Sequence, residues 1–95
     1  MSKSIYVQLI NIRNRYLRDK DYELYRDVLA EISHQFFINQ EHIPREIQLS
    51  LESDIDCQKV IDLVPQFLKE LRQGEFIFLG IQQISCRNIF SFSRI

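Results

Sequence analysis

From residue 46 to residue 56 the chain keeps a period of two. The even positions are Glu46, Gln48, Ser50, Glu52, Asp54 and Asp56, all polar or acidic. Ile47, Leu49, Leu51 and Ile55 fill the odd positions, and only Ser53 departs from the pattern. Alternation of this kind sends successive side chains to opposite faces of an extended strand. It therefore demands a fold in which one sheet face is covered and the other carries carboxylates. A helix over 43–55 competes, because Ile43, Ile47, Leu51 and Ile55 recur every fourth residue. Leu49 fits only the period of two and favours the strand.

Beyond Asp56 the period changes to that of a helix. Cys57, Val60, Ile61, Val64, Phe67, Leu68 and Leu71 make one apolar face, with Gly74 as the expected stop. Pro65 sits inside this face, where it removes a helical hydrogen bond, so the helix is expected to kink or restart there. Upstream, Ile5, Leu9, Ile12 and Tyr16 predict a first helix with Ser4 as its N-cap. Tyr25, Val28, Leu29, Ile32 and Phe36 predict a second, capped by Asp21. A short "RDKD" turn between them predicts an antiparallel helical hairpin. The tail alternates Phe76 and Phe78 with aliphatics and Phe90 and Phe92 with serines, which predicts two strands around a "SCRN" turn at 85–88. Gly80 with Gln82 and Gln83 suggests that the first of these strands bends or ends there.

The expectation is an α+β fold of order ααβαββ: a helical hairpin, then a strand, a helix and a β-hairpin in a small antiparallel sheet. Its core is expected to unite Leu9, Ile12, Tyr25, Leu29, Ile32, Phe36, Val60, Val64, Phe67, Leu68, Phe76 and Phe78. Ninety-five residues suit one domain, spanning 1–95. The hydrophobic share of 45% is that of a globular chain, not a disordered one. Two cysteines, Cys57 and Cys86, are too few for a disulfide scaffold. The N-terminal stretch lacks the apolar core and cleavage site of a signal peptide. No apolar run approaches the roughly 18–20 residues of a membrane span. These features predict a cytoplasmic protein with reduced thiols and no membrane association.

Catalytic signatures are missing from the pattern. Gly74 and Gly80 are the two glycines, and neither opens a predicted helix as a phosphate loop would. His34, His42, Cys57 and Cys86 lack the close spacing that prepares a zinc site. Glu52, Asp54 and Asp56 would stand about 7 Å apart on one strand face, within the range of a glycosidase pair. An exposed row has neither the cleft nor the divergent environments that acid–base work needs. No enzyme, cofactor or metal is expected.

Charge is segregated. Residues 1–20 set Lys3, Arg13, Arg15, Arg18 and Lys20 against Asp19, whereas residues 40–62 set six acids against Arg45 and Lys59. The formal total is −1. Arg13 falls within the apolar arc of the expected first helix, where its stem is expected to pack with its head in water, the alternative being an internal or interfacial pair with a carboxylate. All four tyrosines, Tyr6, Tyr16, Tyr22 and Tyr25, lie in the expected helical hairpin, and tyrosine beside arginine is the composition of an anchored but wet contact surface. The leading functional expectation is a small protein-binding module facing a basic partner. Immunity proteins and antitoxins work in this way, covering the basic cleft of a nuclease with spaced carboxylates. The residues expected to make that contact are Glu46, Glu52, Asp54 and Asp56, with Tyr22 and Arg18 on the hairpin. Two other readings stand beside it. One is a nucleic-acid-binding regulator using the basic first helix, and the other is a homodimer through the C-terminal strands.

Overall fold

The computed structural model describes residues 22–40 and 42–95, together with Val7, Gln8 and Asn11. The expected first helix, its hairpin turn, the Asp21 cap and the core positions Leu9 and Ile12 lie outside the described residues, as does the Tyr25 side chain. From Tyr22 onward the chain forms a small α+β arrangement: α1 (Tyr22–Ile38), β1 (Glu46–Glu52), α2 (Cys57–Glu70), β2 (Phe76–Ile84) and β3 (Arg87–Arg94).

The period-two segment is a strand, and its burial follows its sequence. Ile47, Leu49 and Leu51 are buried while Glu46, Gln48 and Glu52 are exposed. It ends at Glu52, where a turn bonds the Ile55 N–H to the Glu52 carbonyl at 3.2 Å and carries Asp54 and Asp56 out of the sheet. The three strands lie in the order β1-β3-β2, with β3 antiparallel to both neighbours. β1 and β2 therefore run parallel, with the last strand inserted between them, a split β-α-β arrangement. The core joins Val28, Leu29, Ile32 and Phe36 of α1 and Val60, Val64, Phe67 and Leu68 of α2 to the inner sheet face. Phe90 and Phe92 are fully buried at the centre of that face. Phe78 is half-buried and meets Phe92 edge-on, with ring centroids 5.6 Å apart.

Local sequence features define the ends of α2. Asp56 caps it, its carboxylate accepting from the Lys59 N–H at 3.3 Å. Pro65 lies inside a continuous helix and does not restart it. The expected stop at Gly74 is displaced. The Gln73 N–H donates to the Leu68 carbonyl at 2.9 Å and the Arg72 N–H to that of Lys69 at 3.0 Å. This pair of bonds is a Schellman motif, with Arg72 in the left-handed position at φ 59. Gly74, at φ 99, serves a different end. A Cβ built there would stand 3.2 Å from the Arg94 Nε.

The β2–β3 turn is tighter than the expected SCRN loop. It consists of Ser85 and Cys86 alone, with Ser85 at φ 54, and Arg87 and Asn88 already belong to β3. At Gly80 β2 does not end; its register with β3 is irregular between Phe78 and Gly80 and then continues to Ile84. Such an irregularity bends the strand without ending the pairing. Among the described residues no helix is long and apolar enough to cross a membrane.

Candidate functional site

The acidic residues expected on one face are spread along and beyond β1. Glu46 and Glu52 stand at opposite ends of β1, both exposed on the outer face. Six residue steps of strand separate them by about 20 Å, roughly two and a half times the screening length at physiological salt. Between them lie Gln48 and Ser50, which carry no charge. Asp54 is exposed in the turn after β1. Asp56 is exposed too, but its carboxylate already caps α2. Tyr22 opens α1 with its side chain outside the described residues, and Arg18 lies outside them altogether.

The structure assembles a different acidic group. A groove of about 170 Å³ opens between α1 and the C-terminal end of β1, lined by Asp27, Ala30, Glu31, Ser50, Leu51, Glu52 and Arg87. Three acidic residues from two elements line it, Asp27 and Glu31 from α1 and Glu52 from the end of β1. On α1, Asp27 and Glu31 are one helical turn apart, which places both on the same side of the helix. They flank the buried stripe of Val28, Leu29 and Ile32, so docking that stripe brings them beside β1. Asp27 also lies 4.0 Å from the Arg26 Nε in an exposed pair, a geometry that contributes little stability.

Arg87 is the cationic member of the groove. In register it stands opposite Glu52, yet its guanidinium reaches diagonally to Ser50. Its Nε donates to the Ser50 Oγ at 2.6 Å and its Nη2 to the Ser50 carbonyl at 2.8 Å. Near the same end of the sheet, Asn88 is 8% exposed, the buried polar side chain of the described core. Its amide reaches the Ser53 carbonyl at 3.5 Å and the Cys57 Sγ at 3.6 Å, holding the β1–α2 connection against β3. Cys57 is half-buried against the core and Cys86 is exposed on the hairpin turn, both as free thiols.

Neither Asp27 nor Glu31 stands out in the sequence, where the one signal is that residues 21–39 hold Asp21, Glu23, Asp27 and Glu31 against Arg26. What the sequence could not reveal is that this helix lies against the acidic end of β1. A second concavity of about 220 Å³ is lined by Pro65, Gln66, Lys69, Glu75, Phe76 and Ile95, with one base and one acid at its rim. Among the described residues no group of three or more histidine, cysteine, aspartate or glutamate side chains is placed to hold a metal ion. No protein-family model matches the chain, and neither a curated protein nor a solved structure is significantly similar to it.

Proposed function

We propose that this chain is a small protein-binding module that receives a basic partner at the acidic groove between α1 and β1. The observation that supports this reading is that Asp27, Glu31 and Glu52 line one concavity, with Asp54 exposed in the turn after β1. Carboxylates gathered from separate elements set up a local negative potential that attracts lysines and arginines. Such a potential acts chiefly on encounter, raising the association rate and making it sensitive to salt. Arg87 tempers the charge and is held by Ser50, so it would orient a partner carboxylate or carbonyl at the groove's edge. An inhibitor of the immunity or antitoxin type, occupying the phosphate-binding cleft of a nuclease, is the concrete form of this reading, because such clefts are basic by necessity.

The test uses the variant Asp27→Asn, Glu31→Gln, Glu52→Gln, Asp54→Asn, with Asp56 left in place because it caps α2. Wild type and variant are compared as baits for proteins of the native host, and association rates of the retained protein are measured across salt. The wild type is expected to associate at least about tenfold faster at low salt, with the difference vanishing at high salt. Equal rates at low salt would remove the groove from the binding surface. The nucleic-acid alternative depends on Arg13, Arg15, Arg18 and Lys20, outside the described residues. A salt-dependent gel shift with mixed RNA and DNA would favour it.

A further inference from the structure

The two edges of the sheet are finished differently. On β1, the outward carbonyl of Gln48 accepts from the Gln35 Nε2 of α1 at 3.1 Å, and that of Ser50 accepts from Arg87 at 2.8 Å. Glu46 and Glu52 add a charge at each end of that strand. Covering and charging are the usual means of keeping an edge from pairing with another chain. The other edge, β2, carries the sequence FIFLGIQQI, nine residues without a charge or a proline. Ile77, Leu79, Ile81 and Ile84 on it are between 41% and 55% exposed.

The outward groups of β2 follow from the ladder. Hydrogen bonds from the Arg94 N–H to the Arg45 carbonyl and from the Ser53 N–H to the Cys86 carbonyl set the alternation on β3. Its even residues turn their amides to β1 and its odd residues to β2. Ile77, Gly80, Gln82 and Ile84, opposite those odd residues, are therefore bonded within the sheet. Ile81 and Gln83 turn their N–H and C=O groups away from it.

We propose that β2 pairs antiparallel with β2 of a second copy of this chain, about a two-fold axis at Gln82, to make one continuous six-stranded sheet. In this register Ile81 faces Gln83 of the second copy and the reverse, which satisfies the outward groups of both residues with four backbone hydrogen bonds. Ile84 falls opposite Gly80, where an added Cβ would meet nothing within 4 Å, so there is room for the isoleucine methyls. Gln82 meets its own copy, and two amides can hydrogen-bond each other. A second copy fits better than a charged partner, because an uncharged strand paired with itself sets no like charges opposite one another. The assembly also closes. The ends of the doubled sheet are two β1 edges, each with its Gln48 and Ser50 carbonyls bonded by side chains and a glutamate at either end, which opposes growth beyond two chains. The irregularity at Leu79 confines regular pairing to residues 80–84 and makes the dimer one that dissociates on dilution. This edge is separate from the acidic groove, so the two proposals succeed or fail independently.

Sedimentation equilibrium on the full chain tests it. The wild type should show a monomer–dimer equilibrium. Gln82→Lys and Gln82→Glu each place two like charges across the axis at an exposed position, and each should weaken the dimer roughly threefold to tenfold. Mixed in equal amounts, the two should associate at least as well as the wild type. Gln83→Pro removes only an outward N–H and leaves the β2–β3 ladder intact, so it should give a monomer that still melts cooperatively. A wild type that is monomeric at every concentration reached overturns the proposal. So does a dimer that Gln82→Lys and Gln82→Glu leave unchanged, or charge variants whose mixture associates no better than either alone.

Discussion

The guanidinium of Arg94 lies over the ring of Phe76, 5.1 Å from its centroid. From there its Nε donates to the Gln73 carbonyl at 2.8 Å and its Nη2 to the Ile43 carbonyl at 2.7 Å. One side chain at the end of β3 thus joins the segment before β1, the segment after α2 and the start of β2. Gly74 leaves the space this side chain occupies.

Arg94→Ala should therefore cost about 2–4 kcal/mol, from two charge-assisted hydrogen bonds and a cation–π contact. Arg94→Lys keeps the charge but loses the planar fork that reaches both carbonyls, and should recover less than half of the loss. Urea unfolding of the three proteins checks this. Equal midpoints for wild type and Arg94→Ala would show that the three segments hold together without it.

Asp56 separates stability from binding. Asp56→Ala should lower stability by about 1 kcal/mol, while Asp56→Asn, which still accepts the Lys59 N–H, should stay within a few tenths. Thermal melts of both variants decide the matter. A loss in Asp56→Asn as large as in Asp56→Ala would mean that the charge, and not the cap, matters there.

Arg72 and Ser85 sit at φ 59 and 54, where a Cβ is disfavoured. Arg72→Gly and Ser85→Gly should each stabilise the chain by about 0.5–1 kcal/mol, net of the entropy that glycine adds to the unfolded state. Arg72→Ala should bring no gain. Lower midpoints for both glycine variants would show that these side chains make contacts worth more than the strain.

The core makes two demands. Phe67 is fully buried, and Phe67→Ala should cost about 3–5 kcal/mol, a large part of the stability of a chain this short. Removing residues 88–95 takes away the central strand, with both of its ladders and the buried Phe90 and Phe92. No cooperative unfolding transition should remain. A deletion variant with a sharp melt would show that β1 and β2 can hold a sheet without β3.

β1 and α2 were legible in the sequence because each repeats a local rule over enough residues to exceed chance. The period of two from Glu46 and the 3.6-residue face from Cys57 decide backbone conformation and the buried side together. The cap at Asp56 was equally local, yet its carboxylate was counted with the acidic row, since a strand and a helix start share that residue type. Phe90 and Phe92 announced a buried strand but not its place in the sheet. Tertiary structure alone set β3 between β1 and β2, because strand order depends on which distant edges meet and not on any one strand's pattern. The same holds for the groove of Asp27, Glu31 and Glu52, and for the hold of Arg94 on Gln73 and Ile43. Each unites residues more than 20 positions apart in the chain, a proximity that only the docking of α1 on the sheet and the central place of β3 within it create.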